Sequence, residues 1–480
     1  MARSITDHEK RYAQELLQRA RRAMDAIADY DQARIDRLCQ AVGWATANER
    51  TFTRLANISV DESGLGDRAG RPNKRFKIMG ILRDALRQKS MGIIEEIPEK
   101  GIVKYAKPAG VIASLVPVTN AALTESGNGI YALKCKDSII FSPHPASKKT
   151  TNETVRLMRA ALKREGAPED IFQCVEKPSI PLAEELMSIC DLTIATGGQA
   201  MVRAAYSSGK PAYGVGAGNA TMVIDETADI VEAARNTRLS KTSDNGSGCS
   251  ADGNLLVDVS IYDRFLDQLQ KEGGYLVSEE QKRSLQEVLW DSEGHRITST
   301  IARPAATIAE RAGFQIPAGK TFLIVKEEHI GKEHLFSSEK LSPVLAIFRY
   351  SGFDRALEMV KAIYDVGGKG HSCGIYSFDP DHIHRLALVA PVSRIMVRQP
   401  QSKANAGAFN NGMPMTSSMG CGIWGGNITN ENVSLKHYMN VTWVSQPIAE
   451  DKPSEQELFG EFYNTEVFEE EEVAQAIGLQ

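Results

Sequence analysis

The chain contains no run of the ~18 apolar residues that a membrane-spanning helix needs. Its first residues, Met-Ala-Arg-Ser-Ile-Thr-Asp-His, lack the apolar stretch of a secretory signal. These two absences set the expectation of a cytoplasmic protein outside any membrane. Cysteine is scarce and unpaired in pattern. There are seven (Cys39, Cys135, Cys174, Cys190, Cys249, Cys373 and Cys421), with no Cys-x-x-Cys among them, which argues against a disulfide framework or a structural zinc site. Positive charge is also not in excess. With 56 Lys and Arg against 61 Asp and Glu, the net charge is −5, and no electrostatic footprint for nucleic acid is expected. No internal repeat or low-complexity tract stands out.

What is present is a globular composition, 42% hydrophobic and 24% charged, in 480 residues. That length predicts two or three domains. Residues 6–60 alternate apolar and charged helical faces and predict two or three amphipathic helices. Residues 61–78, rich in Gly, Asp, Arg and Lys, read as a loop leading into a further helix. From residue 110 the pattern becomes strand, helix, strand, helix. Runs 110–116, 138–141, 171–175 and 192–196 are apolar on both faces, as in a parallel sheet covered by helices on both sides. Such sheets bind ligands at the carboxyl ends of their strands. Runs 221–224, 255–257, 322–325, 346–350, 373–376 and 394–397 predict a second α/β domain. The acidic end of the chain, including Glu469 to Glu472, reads as a solvated tail or terminal helix.

Three segments imitate ligand motifs. Gly313-Phe-Gln-Ile-Pro-Ala-Gly319-Lys320-Thr321 resembles a P-loop, but its first glycine is one residue too distant and a strand follows where a helix must begin. His382-Ile-His384 suggests a metal pair without a third ligand cluster, and no metal is expected. Gly214-Val-Gly216-Ala-Gly218-Asn219 has G-x-G-x-G spacing and precedes a strand, unlike a dinucleotide fingerprint. Its expected use is close approach of backbone to another group. More informative is 192–199, where a strand runs through Thr196-Gly197-Gly198 directly into a helix whose free amides suit a pyrophosphate. Most informative is Lys241-Thr-Ser243-Asp244-Asn245-Gly246-Ser247-Gly248-Cys249. A thiol after a glycine-rich turn can have its pKa lowered by backbone amides, which can later hold an oxyanion. Of the other cysteines, only Cys421 has a comparable setting; the rest read as small buried hydrophobes.

These segments, with Val116-Pro-Val-Thr-Asn120, Ile140-Phe-Ser142-Pro-His144-Pro, Glu339-Lys-Leu-Ser-Pro343, Gly370-His371 and Gly420-Cys-Gly-Ile-Trp-Gly-Gly-Asn427, resemble the aldehyde dehydrogenase superfamily, and within it the CoA-acylating branch. The resemblance runs from about Val103 to Trp443 and implies an α/β fold of two doubly wound domains plus a small β oligomerisation arm. The implied boundaries are a nicotinamide cofactor domain over 1–234, a catalytic domain over 235–430, and an arm and acidic tail over 431–480. A hairpin near 101–108 would join the arm and make a homodimer or homotetramer. Position by position, the resemblance makes Cys249 the nucleophile, Asn120 the oxyanion amide and His371 the acid/base. It places Thr196, Gly197 and Gly198 on the cofactor pyrophosphate and Ser142 and His144 at the adenosine ribose. Glu339 falls at the nicotinamide ribose, and Gly216 is expected in the same cofactor site.

One absence directs the second half-reaction. Hydrolytic members of the superfamily carry a glutamate in a turn that is here Gly214-Val-Gly-Ala-Gly218, with no carboxylate. Hydrolysis needs a general base there, whereas the CoA thiol is itself a nucleophile, so an acyl-CoA product is expected. Ser243 and Ser247-Gly248 stand where the acetaldehyde branch has aromatic and apolar residues. With the basic stretch Gly70-Arg71-Pro-Asn73-Lys74-Arg75-Phe76-Lys77 and Arg87-Gln88-Lys89-Ser90, these features resemble acylating sulfoacetaldehyde dehydrogenases, the alternative being that the basic stretch is a solvated loop with no ligand. The expected substrate is therefore sulfoacetaldehyde, its sulfonate held by Ser243, Ser247 and backbone donors with one Arg or Lys. The alternative is acetaldehyde with NAD. Reduction of an acyl phosphate and a non-catalytic scaffold are further alternatives. Ser147, Lys148 and Lys149 after His144 can meet a 2′-phosphate and so favour NADP over NAD; they read equally as the first turn of a helix, although lysines there oppose its dipole.

Overall fold

The computed structural model describes residues 3–463. The acidic stretch with Glu469 to Glu472 lies outside the described residues. Among those described, no helix is long and apolar enough to cross a membrane. The chain divides into two compact units. Among the described residues, the larger comprises those up to Gly92 with Ala106–Asn440, and the smaller Ile93–Tyr105 with those from 441 to 463.

Three helices, Asp7–Ala26, Gln32–Ala47 and Glu49–Ser63, open the larger unit. The first begins with a capping box between Thr6 and Glu9, and the third ends on Gly64 in the left-handed region (φ 65°). Strands β1 (Gly92–Ile97) and β2 (Ile102–Pro108) then lead to a first large sheet. It comprises β3 (Val111–Val116), β4 (Ser138–Pro143), β5 (Phe172–Cys174), β6 (Leu192–Thr196) and β7 (Ala212–Val215). Their order is β5-β4-β3-β6-β7 and every pairing is parallel. All six residues of β3 and of β4 are buried, as expected for strands covered on both faces. The helices that cover them bury apolar stripes; helix Lys148–Arg164 does so through Val155, Met158, Ala161 and Leu162.

The strand order of this sheet creates a binding crevice. From β3 the chain moves outward to β4 and β5, then returns to the other side of β3 for β6 and β7. The segments after β3 and β6 therefore leave in opposite directions and open the crevice at the carboxyl edge.

The second sheet comprises β8 (Thr221–Ile224), β9 (Asn254–Asp258), β10 (Gly274–Leu276), β11 (Phe322–Lys326), β12 (Val344–Tyr350), β13 (Cys373–Tyr376) and β14 (Ile395–Val397). Its order is β10-β11-β12-β9-β8-β13-β14, again wholly parallel. The expected boundary at residue 235 falls inside helix Ile230–Lys241, after β8 has already entered this second sheet. Strands β7 and β10 were not expected from the sequence pattern. Strand β15 (Met439–Ser445) joins the two early strands in a three-stranded sheet ordered β1-β2-β15.

Candidate active site

Cys249 lies in the turn between helix Ile230–Lys241 and β9. The turn is strained: Asp244 (φ 51°), Asn245 (φ 54°) and Gly246 (φ 69°) are consecutive left-handed residues, two of them not glycine. Each of the two non-glycine residues costs on the order of 1–3 kcal/mol, and such a conformation persists only where its surroundings over-determine it. Here the surroundings do. Arg71 grips the buried Asp244 carboxylate through Nε (3.1 Å) and Nη2 (2.9 Å), while Lys74 Nζ (2.7 Å), Ser247 Oγ (2.9 Å) and the Asp67 amide (2.8 Å) also donate to it. Burial pushes the Asp244 carboxyl upward, but Lys74 and Arg71 outweigh it and hold the group well below the usual carboxylate range. Asn245 Nδ2 donates to Gly66 O (3.1 Å).

The turn delivers Cys249 Sγ to 3.1 Å from His371 Nε2. His371, which precedes β13, is fully buried. Its Nδ1 is 2.9 Å from Ser372 Oγ, which also accepts from Asn405 Nδ2 (3.0 Å), and its backbone carbonyl accepts from Arg394 Nη1 (2.8 Å). Burial, followed by the Arg394 charge, lowers the imidazole pKa to about 3. Burial, with Glu339 and Cys421 nearby, pushes the Cys249 thiol up to about 12. The resting pair is therefore neutral thiol and neutral imidazole. The expectation that amides would lower the thiol pKa is reversed in the resting protein, because burial outweighs the cysteine's own N–H.

Gly218 explains the glycine-rich run before β8. A Cβ there would collide with the Cys249 carbonyl oxygen and lie 3.3 Å from His371 Cγ. The close backbone approach expected of this segment is thus to the Cys249–His371 pair itself.

Asn120 follows β3 and is linked to the same turn by Lys74, whose Nζ donates to Asn120 Oδ1 (2.8 Å), Thr119 O (3.0 Å) and Asp244 Oδ2. An ammonium can only donate, so it fixes the amide oxygen toward itself and leaves Asn120 Nδ2 free to donate elsewhere.

Glu339 accepts from the Gly218 amide (3.2 Å) and from Arg296 Nη1 (3.1 Å), tying it to the backbone beside Cys249. Burial raises its pKa despite Arg296. Thr196, Gly197 and Gly198 carry the chain from β6 into helix Gln199–Tyr206, which has no side-chain cap. A Cβ at Gly198 would meet nothing within 4 Å, and one at Gly216 would come no closer than 3.6 Å to Gln199 Nε2. Uncapped amides and open backbone beside the β3/β6 crevice fit a dinucleotide pyrophosphate. Thr196 Oγ1 lies 2.6 Å from Ser418 Oγ. Ser142 and His144 end β4; Ser142 is buried, and His144 is exposed with Nδ1 accepting from the Ala146 amide (3.1 Å).

The turn after His144 departs from the expected phosphate cradle. Ser147 is fully buried and its hydroxyl donates to His144 O (3.2 Å). The next helix N-terminus is already met by a carboxylate: Glu62 accepts from the Lys149 amide (2.7 Å), the Thr150 amide (2.9 Å) and Thr150 Oγ1 (3.0 Å). The Glu62 carboxylate thus sets a negative charge beside Lys148 and Lys149, which open the helix.

Of the two expected sulfonate residues, Ser243 Oγ accepts from Lys403 Nζ (2.7 Å), whereas Ser247 directs its hydroxyl at Asp244. Arg71, Lys74, Glu62, Arg394, Ser372, Asn405 and Lys403 had no assigned site role. Only the basic stretch holding Arg71 and Lys74 signalled itself. Among the imitating segments, Lys320 Nζ donates to Gln270 O (2.7 Å), and His382 pairs with Asp225 Oδ2 (2.8 Å) while stacking on Phe353. Asp225, Glu226 and His382 lie close enough to meet one cation, but Asp225 Oδ1 already serves Thr227 and Oδ2 serves His382.

Known proteins share this architecture. The aldehyde dehydrogenase family profile matches residues 2–286. The chain is 43% identical over 451 residues to a sulfoacetaldehyde dehydrogenase of Acholeplasma sp, covering 93% of each. It is 39% identical to an acylating sulfoacetaldehyde dehydrogenase of Bilophila wadsworthia, covering 94% of this chain and 98% of that one. Among solved structures, an acetylating aldehyde dehydrogenase from Geobacillus thermoglucosidasius superposes with a TM-score of 0.89 at 33% identity, covering 93% of this chain and 99% of that one.

Proposed function

The chain belongs to the aldehyde dehydrogenase family, and from that premise we propose that it oxidises sulfoacetaldehyde to sulfoacetyl-CoA through a thioester on Cys249, using a nicotinamide cofactor and CoA. The observation that carries this reading is the Cys249–His371 contact of 3.1 Å in a chain similar end to end to sulfoacetaldehyde dehydrogenases.

The chemistry follows from the geometry. When His371 Nδ1–H donates to Ser372 Oγ, Nε2 presents a lone pair to the thiol and accepts its proton as Sγ attacks the aldehyde carbon. Asn120 Nδ2, held by Lys74, and the Cys249 amide receive the oxyanion. The Thr196-Gly197-Gly198 turn would hold a nicotinamide dinucleotide, with Glu339 at its ribose, and the bound cofactor would accept the hydride that leaves the former aldehyde carbon. Ser142 and His144 are proposed to face the adenosine ribose. As the oxyanion collapses, Cys249 is left as a thioester and His371 releases its proton to solvent. CoA then attacks the acyl carbon, His371 takes the CoA thiol proton, and the departing Cys249 thiolate recovers it. Glu339, the carboxylate whose charge reaches Cys249, is bound by the Gly218 amide and Arg296, which disfavours its use as a base for water.

Of the two nicotinamide cofactors, the Glu62 carboxylate at the helix following His144 favours NAD, since a 2′-phosphate would meet like charge there. We assign the first large sheet to the cofactor and the second to the nucleophile. The small sheet, with Val441, Trp443 and Val444 exposed on β15, is the surface we assign to pairing with a second copy of the chain. Seven free thiols and the use of CoA suit a reducing cytoplasm.

The test is cofactor reduction by purified protein with sulfoacetaldehyde, with and without CoA. Strict dependence on CoA is expected, with turnover of sulfoacetaldehyde exceeding that of acetaldehyde. Equal turnover without CoA would mean that water resolves the thioester, and preference for acetaldehyde would remove the substrate assignment.

A further inference from the structure

Four cationic side chains converge beside the Cys249 turn, and only two have a carboxylate within salt-bridge distance, one that they share. Arg71 and Lys74 share Asp244. Lys77 and Lys403 have no carboxylate within salt-bridge distance among the described residues; their contacts are neutral. Lys77, on helix Arg75–Leu86, donates to the carbonyls of Ala406 (3.0 Å) and Gly407. Lys403, on the short helix Gln401–Ala404, donates to Ser243 Oγ (2.7 Å). The acceptors of Lys77 thus sit on the loop that leaves Lys403. The Lys403 charge reaches Lys77: after burial, it is the next cause that brings Lys77 down to about 8. The opposite charges that reach them are Asp84 for Lys77 and, for Lys403, the Asp244 carboxylate already shared by Arg71 and Lys74, so the cluster keeps an excess of positive charge that an anion would offset.

The donor inventory suits such an anion. Lys403 uses one of its three N–H groups on Ser243, and Ser243, having accepted that bond, keeps its own hydroxyl proton. Ser243 precedes Cys249 by one turn, which is joined internally by the Ser247–Asp244 hydrogen bond. An acid group carried one methylene from a carbonyl under attack by Cys249 belongs in this neighbourhood.

We propose that Lys403 is the specificity-determining residue for the substrate sulfonate, acting with the Ser243 hydroxyl, and that Lys77 completes the positive field of the subsite. The inference rests on the sulfoacetaldehyde reading and names the side chains that would select it. It shifts the sulfonate contact from Ser247, whose proton is directed at Asp244, to a lysine about 150 residues further along the chain.

The experiment compares wild type, Lys403→Met and Lys403→Arg with sulfoacetaldehyde and with acetaldehyde at saturating CoA and cofactor. A charge-assisted hydrogen bond lost with the methionine predicts that the ratio of the two kcat/KM values, sulfoacetaldehyde over acetaldehyde, falls at least about tenfold, mainly through KM. Lys403→Arg should recover most of that ratio. A smaller fall in Lys403→Met, or failure of arginine to recover the ratio, overturns the proposal. A wild type that prefers acetaldehyde would defeat the substrate reading instead. In that case the anion subsite is read with 2-hydroxyethanesulfonate as the probe. Competitive inhibition weakened by Lys403→Met supports the site, and inhibition that is absent or indifferent to the substitution overturns it.

Discussion

Cys249 Sγ and His371 Nε2 face each other at 3.1 Å as a neutral pair, the thiol pushed up to about 12 and the imidazole down to about 3 by the same burial. This is the opposite of a preformed thiolate–imidazolium pair, and it makes thiolate formation part of the attack on substrate. Labelling of Cys249 by iodoacetamide in the cofactor-free protein should therefore rise about tenfold per pH unit between pH 7 and 9, following the thiolate fraction of a thiol that titrates above this range. His371, neutral over that range, adds no step of its own. A labelling rate that levels off below pH 8 would show a stabilised thiolate.

Lys74 acts through Asn120. Its ammonium orients the amide oxygen and braces Asp244, so it positions the oxyanion donor without touching substrate. Lys74→Met should lower kcat by about 10²–10³, the range for loss of one oxyanion donor, with a smaller effect on KM. Because the same substitution removes a partner of the buried Asp244, thermal unfolding should be followed in parallel. Retained kcat in a folded variant would remove the role.

Glu62 is expected to set the cofactor preference. Glu62→Gln keeps the shape at the helix N-terminus and removes the charge beside Lys148 and Lys149. The ratio of kcat/KM for NADP to that for NAD should increase by about fivefold to tenfold, equivalent to about 1 kcal/mol. An unchanged ratio would place the 2′-hydroxyl away from this turn.

Much of the scaffold was legible because its strands are β-branched runs buried on both faces. Residues 111–116 and 192–196 could hardly be anything else. Strand β7 was not, since Gly214 interrupts its short apolar run and the glycines drew attention to a loop. The glycine-rich turns singled out Cys249 and Cys421 alike, and the family resemblance chose Cys249 and named His371 and Asn120. The groups that support them were not legible, for one reason: Arg71, Lys74 and Asp244 meet across about 170 residues of sequence, and Lys403 meets Ser243 across 160. Local patterns carry no record of such pairings. The setting of Ser147 was not legible either, because no local pattern shows that the serine after His144 is buried and spends its hydroxyl on the His144 carbonyl.

The measurement that bears most directly on the thioester is intact-protein mass spectrometry of the enzyme mixed with sulfoacetaldehyde and NAD in the absence of CoA. One sulfoacetyl group per chain is predicted, mapped to Cys249, stable over minutes and discharged on addition of CoA with appearance of sulfoacetyl-CoA. An unmodified Cys249 under conditions where NADH is formed continuously, or an adduct that water removes as fast as CoA does, would contradict the thioester mechanism.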